Sequence, residues 1–539
     1  VNDQPTNEAN NFARKLFGAE VDAAAGAAGL KVLGPNDPSD GSPSIPWVLL
    51  PGRDGRDDAD FAKDLGAVMA DAPLFRREDV LVTVEPTTGD LKLMTTERFL
   101  TWVSDHAVVY EWFETGKGQN RTQMKMRRTM PKTTAAATLA SDRFYYQVRP
   151  LVRVNSVRMP VMSADGRPRL LPEGYDEDTQ IFSLKSVVQV DESYTIEKAK
   201  LFLTDHYGEF GFTDGRSLAV AITMGVALFG MGLQPIEAAR MGFMVRANTQ
   251  GGGKSLVAQM AVSASYGWPK NTPRTKEEEL IKMLASVVLQ GRPYIFLDNL
   301  KGHFENAIIE GFMTSPEVSV RVMGTHRFMT GKVCTTLILT GNNLTVSPDM
   351  QRRVLQCDIF VEEFDLQEKS HRRDLNPVAL NRPEVRSEFL SVYWALIRNW
   401  YELGRPPAGT REKPYRIAGF AEWSDIFGGI VQAAGYGNTL ERPKDDQSAN
   451  PMTQQQRKLV ELLSTPLDSV NAMMEYTAQE MIDCCVDNDL FTWKIKGKPT
   501  VVDGKDIYIP TSETWSVMGL MWTKEMGGRI FTLTDRRRV

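Results

Sequence analysis

Apolar and polar residues alternate along "DVLVTVEP" (79–86) and "LKLMTTERF" (91–99), a period of two that predicts strands. "FLTWVSDHAVVYEWF" (99–113) predicts a helix followed by a strand, so residues 1–130 read as a small mixed domain. Short strands in "VRVNSVRMPVM" (152–162), the turn-rich "SADGRPRLLPEGYDEDT" (163–179) and helices over about 194–208 and 217–236 make 131–240 a set of linker strands with a helical collar. From 242 the order becomes strand, glycine-rich loop, helix and further apolar runs, which is the pattern of an α/β core over 241–375. "EFLSVYWALIRNWYELG" (388–404) and "FAEWSDIFGGIVQAAG" (420–435) predict a helical lid over 376–445. "RPKDDQSANPMTQQQ" (442–456) reads as a polar linker. Beyond it, "TAQEMIDCCVDNDLF" (477–491), "ETWSVMGLMWTKEMGG" (513–528) and the closing "RIFTLTDRRR" (529–538) predict a small C-terminal domain, 455–539, of helices and a wing.

Composition narrows this picture. With 539 residues, 42% hydrophobic and 24% charged, the chain reads as a soluble globular protein of two to four domains. The net charge of −5 gives no overall attraction to polyanions, so any nucleic-acid contact has to come from local basic patches. "KGQNRTQMKMRRTMPKTT" (117–134) is such a run, with Lys117, Arg121, Lys125, Arg127, Arg128 and Lys132 and no acid; a solvated face is its first reading and nucleic-acid contact its second. Cys334, Cys357, Cys484 and Cys485 show no metal-ligand spacing and read as reduced thiols of a cytoplasmic protein. "SLAVAITMGVALFGMGLQPI" (217–236) is uncharged and nominally long enough to span a bilayer, but its glycines, Pro235 and the flanking Arg216 and Glu237 favour a buried core helix, with no membrane partner.

Chemistry concentrates after residue 243. In "MVRANTQGGGKSLVAQMAV" (244–262), glycines let backbone N–H groups close around a phosphate, a lysine reaches the β- and γ-phosphates, and a serine ligates Mg²⁺ at the start of a helix. Asn248, Gly251, Gly252, Gly253, Lys254, Ser255 and Leu256 are therefore the expected P-loop. Asn248 stands where GxxxxGK[ST] has its first glycine, a change expected to be tolerated because asparagine accepts left-handed backbone. "RPYIFLDNL" (292–300) is an apolar strand ending in Asp298, placed to hold Mg²⁺ through water. "TTLILTGNNL" (335–344) is a second such strand, ending in Asn342 and Asn343, either of which can position an attacking water. "SPDMQRRVLQCDIF" (347–360) brings Arg352 and Arg353, surface charges in a monomer but candidate arginine fingers in a ring.

In this order "GGGKS", "IFLDNL", "VRVMG…GK", "TGNN" and "QRRV" resemble the superfamily 3 and related AAA+ replicative helicases of bacteriophages, prophages and plasmids, the helicase half of phage primase-helicases. The resemblance covers roughly 145–440, including "MPVMSADGRPRLLPEGYDEDT" ahead of the core. It implies an α/β P-loop AAA+ core, ATP and Mg²⁺ as cofactors, and a homo-oligomeric ring, a hexamer, acting on single-stranded and forked DNA with a separate primase or other replication proteins as partners. Lys254 and Ser255 would hold phosphate and Mg²⁺, Asp298 would serve Mg²⁺, Asn342 or Asn343 would be the sensor, and Arg352 or Arg353 the finger in trans. "VSVRVMGTHRFMTGKVCTTLIL" (318–339) would form a hairpin whose His326, Arg327 and Lys332 touch single-strand phosphates. The C-terminal segment resembles winged-helix tails, with a helical packing module as the alternative.

Three departures bear on activity. Asn299 follows Asp298 where many ring ATPases carry a second acid, and Glu305 and Glu310 are the substitutes at hand, so the general base is unassigned. "RDDAD" (56–60) sits in a polar turn rather than on an apolar strand, so no primase activity is expected. The missing acid also keeps a second class open: an AAA+ loader, initiator or defence ATPase that remodels nucleoprotein without unwinding. A small-molecule P-loop kinase is disfavoured, since it needs neither "TGNN" nor paired arginines.

Overall fold

The structure is a computed structural model that describes residues 45–52, 55–115, 122–248, 251–269, 277–315, 317–321, 328–361 and 375–442, with short pieces at 459, 462, 483–485, 487–488, 497–502 and 505–510. The chain forms two compact units, one comprising residues up to 155 with 174–184, the other 156–173 with 185 onward.

The first unit is built on small sheets. Strand Val108–Thr115 pairs in parallel with Trp47–Leu49 and antiparallel with Thr122–Arg127. Leu91–Leu93, Val80–Val84, Leu74–Arg77 and Arg149–Pro150 make a four-stranded sheet in that order. The helices Asp58–Val68 and Thr96–His106 are capped by Asp57 and Thr95, whose side chains accept from the amides of Asp60 and Arg98. The acids of "RDDAD" thus open a helix, where they complement its dipole, and do not occupy the expected turn. Phe61, Leu65, Phe99 and Val103 share one core with Ala135, Phe144 and Val148, so the unit runs on past the expected boundary at 130. Residues 174–184 rejoin it because strand Ile181–Ser183 pairs with Arg153–Asn155.

The second unit is mixed α/β around a four-stranded sheet: β1 (Gly242–Ala247), β2 (Tyr294–Phe304), β3 (Thr336–Val346) and β4 (Val354–Ile359). The spatial order is β2-β3-β1-β4 and every pair is parallel. Both faces are covered, which is why the strands read as continuous apolar runs: Phe243, Val245, Phe296, Ile338 and Cys357 are all fully buried. Helix Gly215–Phe229 has 15 residues and is almost wholly buried in this core, against helix Lys254–Tyr266. Among the described residues no helix is long and apolar enough to cross a membrane. Helix Pro383–Glu402 carries Trp394 and Trp400 into the same core, followed by a helical run over 421–433 with one π turn, Ser424–Gly428.

Strands Glu317–Arg321 and Phe328–Lys332 pair antiparallel, with the Ser319 and Thr330 hydroxyls 2.7 Å apart across the ladder, so the expected hairpin arms are present. In the C-terminal region Gly497–Val502 and Lys505–Pro510 also form an antiparallel pair. The segments 513–528 and 529–538, on which the winged-helix expectation rests, lie outside the described residues.

Candidate functional site

In an open parallel sheet, ligands bind outside the carboxyl ends of the strands. At that edge β1 gives way, after Ala247, to the loop that opens helix Lys254–Tyr266. Gly251 and Gly253 have φ of +80° and +84°, and a Cβ on Gly253 would lie 2.8 Å from the Phe210 ring, so no other residue fits there without displacing that ring. Gly253 caps the helix without a side-chain hydrogen bond and no acid stands in the first turn. The amides of Lys254, Ser255 and Leu256 therefore belong to a first turn with no intrahelical partners, a site suited to an anion. Lys254 is only 7% exposed; burial pushes its ammonium pKa down, against the opposing pull of Asp298.

Asp298, at the end of the apolar run of β2, is the hub. Its Oδ1 accepts from Ser255 Oγ at 2.6 Å and from Thr340 Oγ1, and Thr340 Oγ1 in turn accepts from the Asn299 amide at 3.0 Å. Loop helix, β2 and β3 are thereby joined through one carboxylate oxygen. Thr340 is fully buried and absent from the expected site; in the sequence it is only a threonine that closes the apolar run Leu337–Leu339.

Asn342 and Asn343 separate clearly. Asn342 is in register with Ala247, at the base of the loop, and its Oδ1 is buried without a hydrogen-bond partner among the described residues. Asn343 is exposed, at φ +46°, while Asn299 on the neighbouring strand is at φ +57°, so β2 and β3 both bend where they pass the loop.

Asn248 corrects the sequence expectation. It is not among the residues with positive φ; its amide pairs with the backbone of Val361, Nδ2 donating to the carbonyl at 2.8 Å and Oδ1 accepting from the N–H at 2.9 Å. Asparagine stands there because it clamps the loop to the chain leaving β4. The adjacent Phe360 amide donates to Gly211 O at 2.7 Å, and a Cβ on Gly211 would strike the Phe360 carbonyl. Replacing Asn248 with alanine orphans both Val361 groups and is expected to cost about 1–3 kcal/mol. A chemical-denaturation midpoint equal to wild type would show that the clamp is not made.

The arginines lie at the opposite edge. The Gly242 amide at the start of β1 donates to the Arg353 carbonyl, placing the pair roughly 17 Å from the loop by strand rise. Arg353 is turned inward, donating to the Glu310 carbonyl and to Asp349 Oδ2 at 2.6 Å. Arg352 is 67% exposed and pairs with Asp349 alone among the described residues. Neither arginine reaches the loop of its own chain. Of the two acids considered as substitutes for a general base that stays unassigned, Glu310 accepts from Ser347 Oγ, and Glu305 is exposed beside His303. Lys332 ends a hairpin strand opposite Glu317; His326 and Arg327 lie outside the described residues.

The sequence matches no family profile and no curated protein. Solved structures similar to it include one described as the NrS-1 C-terminal region (10% identity, 77% of this chain, 98% of that one, TM-score 0.33). Others are "SCCmec type IV Cch - active helicase" (9%, 78% and 91%, 0.28) and a JCV helicase (16%, 51% and 74%, 0.21). Likenesses this distant carry no weight beside the side chains of the loop.

Proposed function

We propose that this chain is an ATP-dependent DNA helicase or translocase that works as a ring, a hexamer, on single-stranded and forked DNA during replication of a phage or other mobile element. One observation carries the reading: Ser255 and Asp298 meet beside Lys254 at the mouth of a glycine loop, with the unpartnered Asn342 oxygen at the base of that loop. The cradle that only glycine fits and the orphaned amide oxygen both suit a bound triphosphate and its water. Gly251 to Leu256 would wrap the β-phosphate with backbone N–H groups, and Lys254 would bridge β- and γ-oxygens. Ser255 and Asp298 would hold Mg²⁺, which when bound neutralises charge between those oxygens. Asn342 would accept a hydrogen bond from the attacking water and so aim it. Arg352 would enter the neighbouring subunit's site, and the hairpin bearing His326, Arg327 and Lys332 would grip one strand, with a separate primase or other replication proteins as partners.

A second reading, a AAA+ loader, initiator or defence switch, draws on the engaged Glu310, the exposed Glu305 and Asn299 after Asp298, a set that suits slow hydrolysis. Strand separation on forked DNA, wild type beside Lys254→Ala, decides between them. ATP-dependent unwinding that the variant lacks is expected; DNA-stimulated hydrolysis without unwinding would replace the helicase reading with the switch.

A further inference from the structure

The ATPase reading leaves one surface of the first unit unused. In strand Val108–Thr115, Tyr110 and Trp112 are two residues apart and so share a face. Lys125 lies directly opposite Trp112 and Arg127 opposite Tyr110, which puts both cations on that face too. Trp47, from the parallel neighbour, completes it: the Trp47 and Tyr110 ring centroids are 5.7 Å apart, as are those of Tyr110 and Trp112. Lys125 Nζ sits 4.9 Å from the Tyr110 centroid, 5.8 Å from Trp112 and 6.0 Å from Trp47. The other face is conventional, with Val48 and Val109 buried in the core.

Charge separates this face from its surroundings. Nearby Arg128 is paired with Glu111 and Arg56 with Asp64. Lys125 and Arg127 have no carboxylate partner among the described residues; Glu114, the next residue on the same face toward the turn, accepts from Gln123. Trp112 is 41% exposed, a large indole held in the open beside a cation. Tyr110 itself is buried, so Trp112 is the accessible plane; an aromatic plane that stacks a base, beside cations that meet phosphates, is what single-stranded nucleic acid requires, and the combination tolerates any sequence.

We propose that this sheet face is a second single-stranded DNA site, separate from the hairpin of the ATPase unit, in which a base stacks on Trp112 and the adjoining phosphates meet Lys125 and Arg127. It does not depend on the ATPase reading. The test is fluorescence anisotropy of labelled oligothymidine on the full chain, without nucleotide, over a series of salt concentrations. Trp112→Ala is expected to weaken binding by between about 5- and 150-fold. Arg127→Gln, which breaks no side-chain hydrogen bond or ion pair among the described residues, is expected to lower the salt slope by about 0.7. Ultraviolet crosslinking of an iododeoxyuridine oligonucleotide is expected to mark the peptide holding Trp112. Wild-type affinity and slope in both variants, or crosslinks confined to other peptides, would overturn the proposal.

Discussion

Replacing Lys254 with alanine is expected to reduce ATP hydrolysis by about 100- to 1000-fold, the loss seen when one preorganised charge-stabilising group is removed, while leaving thermal stability unchanged or slightly raised. The second half follows from burial. Lys254 is 7% exposed, and desolvation opposes its charge with only Asp298 to offset it. Asp298 keeps two hydroxyl donors, Ser255 and Thr340, in the variant. Hydrolysis and a melting curve on the same preparation give the answer. Lost activity together with a fall in Tm of many degrees would mean that the lysine supports the fold and not a phosphate.

Arg352→Ala is expected to lower hydrolysis by about 10³- to 10⁵-fold, the range for an arginine finger. Because Arg352 lies at the sheet edge away from its own loop, the defect should complement. Mixing Arg352→Ala subunits with Lys254→Ala subunits creates interfaces in which an intact loop meets an intact arginine, and part of the activity returns. Arg353→Ala should behave differently and destabilise the subunit, since its guanidinium is bonded to the Glu310 carbonyl and Asp349. Failure of the mixture to recover any hydrolysis would remove Arg352 from the mechanism.

What the sequence made legible was local or periodic. Apolar runs ending in polar residues exposed β1, β2 and β3, and the glycines, Lys254 and Ser255 announced the loop between strand and helix. What stayed hidden depends on register and distance. Thr340 reads as an ordinary strand former until pairing sets β3 beside β2 and brings its hydroxyl to Asp298. Asn248 looks like a weakened glycine until its partner, 113 residues later, is in place. Asn342 and Asn343 are equivalent on paper, and only the fold shows that the Oδ1 of the first is buried while the second is exposed. The helix over Lys132–Leu139 is a similar case, since its sequence carries no sign of which core Ala135 enters.

β4 joins two of these features. It begins directly after Arg353 and ends two residues before Val361, so a six-residue strand runs from the arginine pair to the clamp on Asn248. β4 is the edge strand of the sheet, held along its whole length by its parallel pairing with β1. A movement of the loop that drags Val361 would therefore be carried along β4 toward Arg353, which immediately precedes it.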